Sequence, residues 1–303
     1  MRQRLVQKIS DGEVVDLTKL NRNKLMRLHY EEEKWIAQLI LELPPFSKER
    51  SEALKKMYDF AYAVMPWYLS STRKSYGANE ETVGVVCDFL RAKAGRKVIY
   101  EAGVGIGYSC RRFVKLPNVE VRGCDVTLSD EVISLMETYD NLSVDEDTLF
   151  NSLRKMENNS IDYFYADNVI EHLLPDEFPR IIKLLSQKMK QNGLLFLVIP
   201  NRLVGPRDVS KYFLAQGSKA EGSHFMEMSY RETLNKFKRG GVIPGYMTYY
   251  FREQFHYLKD KLGILNKIKI GLESILNIIL KKPEKRQKCF YKMGLTWYIL
   301  KKK

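Results

Sequence analysis

Short apolar runs rich in β-branched and aromatic residues alternate, along the middle of the chain, with segments of helical periodicity. Runs of this kind begin near Lys97, Val119, Asn141, Ile161 and Gly193. Apolar runs of this length predict buried strands, and the amphipathic segments between them predict helices that cover a sheet. Their regular alternation predicts an α/β fold in which these five strands pair in parallel.

The first part of the chain has a different pattern. Residues 1–95 carry mainly helical spacing, with helices predicted over 20–41, 48–65 and 80–94. Two prolines, Pro44 and Pro45, end the first of these helices. The segment is therefore expected to form a helical layer ahead of the first strand of the sheet.

The last third of the chain returns to strand-like patterns. Residues 242–251 and 295–300 predict two further strands, and between them we predict a short helix over 255–262 and an amphipathic helix over 264–280. The apolar face of the second helix favours a position in the core or in a dimer interface. Contact with an anionic membrane surface is the alternative.

The charge of the chain is concentrated at its C-terminal end. The formal net charge is +13, and residues 281–303 contain nine Lys or Arg and one Glu. The first 251 residues are nearly neutral, which argues against a nucleic acid as the substrate of the core.

Cysteine use and hydropathy bear on the location of the protein. The four cysteines are scattered without metal-ligand spacing and predict reduced thiols in a cytoplasmic protein. No apolar run has the length of a membrane span, and residues 1–16 show no signal peptide. We expect a cytoplasmic protein, with any peripheral contact at the inner face of the membrane.

The run at Lys97 ends in an acid followed by glycines at alternate positions, namely Glu101, Gly103, Gly105 and Gly107. Glycine permits positive φ and lets a ligand approach the main chain. A helix that begins after the turn would direct its N-terminal amides at that ligand. Strand, glycine-rich turn and helix in this order predict a nucleotide-type site, although the spacing differs from the dinucleotide fingerprint.

This spacing resembles motif I of the class I S-adenosylmethionine (SAM) methyltransferases. The resemblance implies a Rossmann-like, seven-stranded methyltransferase sheet whose seventh strand lies antiparallel between the fifth and sixth, with SAM as the cofactor. It also implies a helical lid and substrate region over 1–95. The methyltransferase domain would cover 96–303, with insertions at 206–228 and 252–287.

The expected SAM contacts follow the ends of the first four strands. Asp125 ends the second strand, where a carboxylate can accept both ribose hydroxyls. The resemblance places the amino-acid part of SAM beside Glu101 and the turn, and the adenine beside an acid after the third strand, for which we choose Asp147. The expected set is Glu101, Ala102, Gly103, Gly105, Gly107, Asp125, Val126, Asp147, Thr148, Leu149, Asp167 and Asn168.

A second resemblance lies in the segment from Ser160 to Leu173. Its Ser-x-Asp start and its Val-Ile-Glu-His-Leu end resemble the signature of the type 11 group of small-molecule SAM methyltransferases. Asp167 and Asn168 fall at the carboxyl end of the fourth strand, where α/β sheets bind ligands. His172 follows one turn later, either as a catalytic base or as a residue that holds the loop.

In relatives of this kind a His-x-x-Glu pair lies over the mouth of the active site, and here that pair is His224 and Glu227. A histidine beside a carboxylate can act as a general base near neutral pH. The alternative is that His224 pins the insertion by a hydrogen bond. With four histidines and no further ligand spacing, we predict no metal site. Substrate contacts are expected from Tyr68, Arg73, Tyr76, Asn201 and Arg202.

These features predict an enzyme that transfers a methyl group from SAM to a hydroxyl, or to an amine, of a small molecule or glycan. Surface-polysaccharide or natural-product biosynthesis would suit such a reaction. The alternatives are an RNA or protein methyltransferase docked by the basic C-terminal tail, a SAM-binding protein without activity, and a dehydrogenase that binds NAD. Beyond the acceptor, the expected contacts are a homodimer partner and a membrane surface met by residues 264–286.

Overall fold

The computed structural model describes residues 4–65, 80–252 and 254–303, whose strands form a small hairpin and a large mixed sheet. The strands are β1 (Leu5–Gln7), β2 (Val14–Asp16), β3 (Lys97–Ala102), β4 (Val119–Asp125), β5 (Leu142–Glu146), β6 (Ile161–Asp167), β7 (Met189–Val198), β8 (Val242–Phe251), β9 (Gln254–Lys259) and β10 (Trp297–Lys302). The α-helices are α1 (Arg22–Glu42), α2 (Lys48–Val64), α3 (Glu80–Arg91), α4 (Cys110–Phe113), α5 (Asp130–Thr138), α6 (Leu149–Lys155), α7 (Phe178–Lys188), α8 (Tyr230–Arg239), α9 (Ile264–Ile279) and α10 (Pro283–Lys292).

The large sheet has the strand order β5-β4-β3-β6-β7-β10-β8-β9, and β3 to β7 pair in parallel as predicted. Side chains of β3 alternate between two hydrophobic clusters, with Tyr100 and Ala102 in one and Ile99 in the other. Strands buried on both faces read as near-continuous apolar runs, which is why the sequence pattern identified them.

β10 lies antiparallel between β7 and β8, so the predicted position of the seventh strand is confirmed. The chain then adds β9 to the edge of the sheet, antiparallel to β8. The helix predicted over 255–262 is therefore wrong. Phe255 is buried against the Trp297 ring, with centroids 4.6 Å apart, while the next residues are more exposed. An aromatic hairpin with one buried contact explains the segment better than a helix does.

The helices of the N-terminal region have two different packing partners. α3 contributes Val83 and Val86 to a core cluster of the sheet, whereas α1 and α2 pack on each other. Arg50 of α2 is 2% exposed and donates hydrogen bonds of 2.9 Å to both Asp176 and Glu177 ahead of α7. The region also contains the β1–β2 hairpin, which the helical pattern did not indicate. The domain boundary at residue 95 stays a prediction.

α9 buries its polar side and exposes its apolar side. Lys269 donates to the carbonyl oxygens of Thr248 and Gly294, at 3.0 and 2.6 Å. Glu273 accepts from Asn201 Nδ2 at 2.7 Å and from the backbone N–H of Tyr230 at 2.6 Å, at the start of α8. These bonds satisfy the buried groups and fix the orientation of the helix. Of the predicted apolar face, Leu276 packs against the core, whereas its isoleucines lie on the surface, so the predicted position in the core holds only in part.

The apolar residues left on the surface form one patch, which we call the isoleucine patch. It consists of Leu262, Ile264, Ile268, Ile275, Ile278 and Ile279, each more than half exposed. No helix within the described ranges combines the length and apolar character needed to cross a membrane.

Candidate active site at the carboxyl ends of the parallel strands

A cavity of about 1050 Å³ lies at the carboxyl ends of β3, β4 and β6, the edge at which α/β sheets bind ligands. Side chains of α1 and α2 also line it. We call the part around Gly103, Gly105 and Asp125 the glycine end of the cavity. The part around His172 and His224 is the histidine end.

The turn after β3 holds its glycines in left-handed conformations, with φ of 66° at Gly103, 55° at Gly105 and 74° at Gly107. A Cβ at Gly103 would lie 2.4 Å from Val169, so a side chain there would displace the neighbouring loop. Gly103 and Gly105 line the cavity directly. The turn therefore presents main chain rather than side chains to a ligand.

Several predicted contacts meet at the glycine end. Asp125 accepts the N–H of Gly105 at 2.8 Å, which ties the end of β4 to the turn. Asp147 accepts the N–H of Thr148 at 2.8 Å and an amide N–H of Asn151 at 2.9 Å. The predicted residues that line the cavity are Gly103, Gly105, Asp125, Val126, Asp147, Thr148, Leu149, Asp167 and Asn168.

The remaining predicted contacts lie beneath this turn. Ala102 is fully buried, and Gly107 packs against Leu135. Glu101 is 2% exposed and accepts the hydroxyl of Ser109 at 2.6 Å through Oε1. Its Oε2 is buried and has no hydrogen-bond partner among the described residues. Burial raises the pKa of Glu101 to about 8, although the Ser109 hydrogen bond acts in the opposite direction.

The histidine end brings together two imidazoles from distant parts of the sequence. The rings of His172 and His224 are perpendicular, with centroids 4.6 Å apart. Nδ1 of His172 lies 3.0 Å from the carbonyl oxygen of Ser223, which can only accept, so Nδ1 carries the proton. Nδ1 of His224 lies 2.7 Å from Oε1 of Glu227, and this oxygen also accepts the N–H of Arg207. Each Nε2 is therefore the nitrogen that carries the free lone pair.

Burial sets the protonation of this end. It lowers the pKa of His172 to about 3 and that of His224 to about 4, so both imidazoles are neutral at pH 7. Burial raises the pKa of Glu227 to about 7. Burial, supported by the nearby carboxylates of Asp167 and Glu227, raises the pKa of Glu171 well above its ordinary value.

α1 holds the histidine end in place through residues that sequence reasoning missed. Glu33 accepts the N–H of Ser223 at 2.7 Å through Oε1, and its Oε2 lies 2.6 Å from Nε2 of His29. Burial raises the pKa of Glu33, but these partners outweigh it and bring the pKa to about 2. The four-residue spacing of His29 and Glu33 on a predicted helix was the available signal.

Of the predicted substrate contacts that the structure describes, one lines the cavity and one does not. Asn201 lines the cavity, but its amide N–H groups are engaged by Glu273 and by the carbonyl oxygen of Leu295. Arg202 does not line it, because its guanidinium forms an exposed ion pair with Glu232 at 3.0 Å. Tyr68, Arg73 and Tyr76 lie outside the described residues.

No sequence-family model matches the chain, and no characterised protein matches it by sequence. Among solved structures it is similar to a Burkholderia thailandensis 1,6-didemethyltoxoflavin-N1-methyltransferase that holds 1,6-didemethyltoxoflavin and S-adenosylhomocysteine. The TM-score is 0.51 at 12% identity, over 86% of this chain and 92% of that one. The chain has the fold of the class I SAM-dependent methyltransferases. A phosphoethanolamine N-methyltransferase 2 of Haemonchus contortus is similar at 14% identity and a TM-score of 0.48, over 84% of this chain and 58% of that one.

The methyltransferase fold confirms the predicted α/β class and the strand order implied by motif I. In this fold β3, β4 and β6 are the first, second and fourth strands, and their ends carry Glu101, Asp125 and Asp167. β9 is the addition that the resemblance did not imply. The roles of the individual site residues stay predictions.

Proposed function

We propose that the protein is a methyltransferase that moves a methyl group from SAM to a hydroxyl, or to an amine, of a small molecule or glycan. One observation carries the proposal: a single cavity joins an open glycine turn to two neutral imidazoles. The Burkholderia thailandensis relative, crystallised with a small molecule and S-adenosylhomocysteine, supports it.

The residues of the glycine end fit SAM. Gly105 has open space beside its main chain, Gly103 lines the same cavity, and Asp125 can accept the ribose hydroxyls. Asp147 with its neighbours lines the side assigned to adenine. The free Oε2 of Glu101 is a buried acceptor near the turn, suited to an ammonium group. When bound, SAM supplies a methyl group already activated by sulfonium charge, so the protein mainly aligns the reactants.

At the histidine end, the chain's own residues can remove the proton of an acceptor hydroxyl. We assign Nε2 of His224 as the base, with His172 as the second candidate, because both side chains line the cavity. The hydroxyl proton passes to Nε2 as the oxygen takes the methyl group. Glu227 is a positioning residue, since its carboxylate orients the ring of His224 through Nδ1.

The isoleucine patch is the basis for a second part of this proposal. We propose that the patch rests on the inner face of the membrane, and that the acceptor is a lipid-linked molecule such as a polysaccharide precursor. Every exposed charged residue from 261 to 282 is a lysine, namely Lys261, Lys267, Lys281 and Lys282. Exposed apolar side chains in a segment whose exposed charges are all lysines suit an anionic lipid surface, where each lysine near the surface contributes about 1 kcal/mol.

Sedimentation with vesicles tests this location. The wild-type protein is expected to sediment with phosphatidylglycerol vesicles and to stay in solution with phosphatidylcholine vesicles. Ile275→Asp combined with Ile278→Asp should weaken binding at least tenfold, whereas Ile133→Asp on α5 is the matched control at an exposed isoleucine elsewhere. A homodimer that buries the patch and does not bind the vesicles would contradict the membrane assignment.

The RNA or protein methyltransferase remains the second candidate because of the basic C-terminal residues. One of these basic residues has a structural contact, since Lys302 lies in β10 and donates to the carbonyl oxygen of Met189. A steep loss of activity with salt would favour RNA.

The decisive experiment is a turnover screen that measures S-adenosylhomocysteine. The acceptors are nucleotide sugars, lipid-linked glycans, phenols and RNA, each with and without the protein. Turnover that depends on a hydroxylated small molecule or glycan is expected. Turnover with RNA alone would overturn the acceptor class, and SAM binding without turnover across the panel would favour the non-catalytic alternative.

A further inference from the structure

We propose that Glu171, His172 and His224 form a binding site for one divalent transition-metal ion. One carboxylate oxygen and one nitrogen from each imidazole lie within 4.8 Å of one another. Two imidazoles and a carboxylate are a donor set typical of first-row divalent metals such as Zn²⁺ and Fe²⁺. The sequence pattern could not reveal it, because the ligands come from two segments with α7 and β7 between them.

The Nδ1 atoms of His172 and His224 make the hydrogen bonds that are common in metal-binding histidines. A metal-binding histidine commonly donates its second ring N–H to a carbonyl or carboxylate, which fixes the tautomer and the ring orientation. Here Nδ1 of His172 donates to the carbonyl of Ser223, and Nδ1 of His224 donates to Glu227. Both Nε2 lone pairs are thereby left for an ion.

Glu171 provides an independent observation. Its side chain is 0% exposed, and neither carboxylate oxygen has a hydrogen-bond partner among the described residues. A buried polar group without a partner is costly, so a protein normally supplies one. A metal ion between Glu171 and the two imidazoles would satisfy the carboxylate.

The backbone holds the two ligand segments together. The N–H of Met226 donates to the carbonyl oxygen of Glu171 at 2.9 Å, which joins the His224 segment to the loop after β6. Donor atoms around a tetrahedral ion with ligand distances of about 2.1 Å are about 3.4 Å apart. Side-chain movements of about 1 Å would therefore complete the site.

This inference rests on the proposed function and refines it. His172 and His224 line the cavity, so the open position of the ion would face the acceptor. An acceptor hydroxyl bound there would have a lowered pKa and would release its proton to water. With the ion bound, the two imidazoles hold the metal instead of accepting that proton.

Metal binding can be measured without SAM. The full-length protein is stripped with a chelator and titrated with Zn²⁺ by calorimetry and with Co²⁺ by visible absorption, with the stoichiometry taken from elemental analysis. One equivalent is expected. Glu171→Gln and His224→Ala should each weaken binding at least 100-fold, whereas His256→Ala on β9 is the matched control and should bind as the wild type does. Each variant is checked for folding by its SAM affinity.

The outcomes separate the two proposals. A stripped protein that binds SAM but takes up no metal would overturn the metal site and leave the methyltransferase proposal standing. Metal bound equally well by both ligand variants would also overturn it, since the ion would then lie elsewhere. Metal uptake at this site without SAM binding would instead count against the proposed function.

Discussion

The centre of the glycine end comes from one contiguous unit, β3 through β4, which contains Glu101, the glycine turn and Asp125. The histidine end is assembled from the loop after β6 and the segment before α8, and α1 holds it through the contact of Glu33 with Ser223. The first end can form whenever the strand–turn–helix unit folds. The second depends on three regions packing together.

This difference explains why one end has a recognisable sequence pattern and the other gives weaker signals. A turn that needs positive φ at alternate residues leaves a fixed glycine spacing. A pair of imidazoles brought together by tertiary packing leaves two separate histidines. Changes at the glycine end should therefore weaken SAM binding, and changes at the histidine end should lower turnover while SAM binding stays unchanged.

The largest effect is expected at the turn. Gly105→Asp would add a charged side chain to the cavity beside Asp125 and should weaken SAM binding more than 100-fold. Gly95→Asp is the matched control, because Gly95 also has positive φ and free space but is exposed away from the cavity. Both variants carry a similar backbone cost of about 1–2 kcal/mol. Calorimetry that finds equal SAM affinity for both would refute the assignment of the turn.

The next effect is expected at the histidine end. His224→Ala should lower turnover about 100-fold while SAM affinity stays unchanged, because the change removes the general base or, with the proposed ion bound, one of its ligands. His256→Ala, on the exposed edge strand β9, should keep wild-type turnover. Both rates are measured with the acceptor found in the screen. Wild-type turnover in His224→Ala would remove this residue from the catalytic machinery.

A smaller effect is expected for Glu227→Gln. The amide oxygen can still accept from Nδ1 of His224 but no longer provides a carboxylate to stabilise the charged ring. We expect kcat to fall about tenfold with little change in KM. A change in KM alone would indicate that Glu227 shapes the pocket without orienting the base, and Glu227→Asp should recover part of the rate.

The smallest effect concerns pH. Glu101 has a pKa of about 8, so its carboxyl is mainly protonated at pH 7. An ammonium group bound beside Oε2 requires the carboxylate, so SAM binding should release a proton, and affinity should rise about fivefold between pH 7 and 8. Calorimetry in two buffers of different ionisation enthalpy measures the proton. Glu101→Gln should bind SAM without releasing a proton. Equal proton release by the variant and the wild type would show that a group other than Glu101 loses the proton.

The parallel half of the sheet was predictable because its strands are buried on both faces and its motifs are contiguous. β9 was not, because a short aromatic segment with one deeply buried residue, Phe255, suits either a helix or an edge strand. The contact that decides between them, with Trp297 of β10, is distant in sequence.

α9 shows a second limit of the sequence. The periodicity of the helix identified its apolar face correctly, but it could not say which face is buried. Lys269 and Glu273 are buried because Thr248, Gly294, Asn201 and the start of α8 offer them partners. Those partners come from elsewhere in the chain, so helical spacing contains no information about them.

The most direct test of the central claim is calorimetry of the purified protein with SAM and, separately, with NAD. We expect one SAM site per chain, loss of the SAM binding heat in Gly105→Asp, and no binding heat with NAD. Binding of NAD in the same cavity, or a folded protein that binds no SAM, would contradict it.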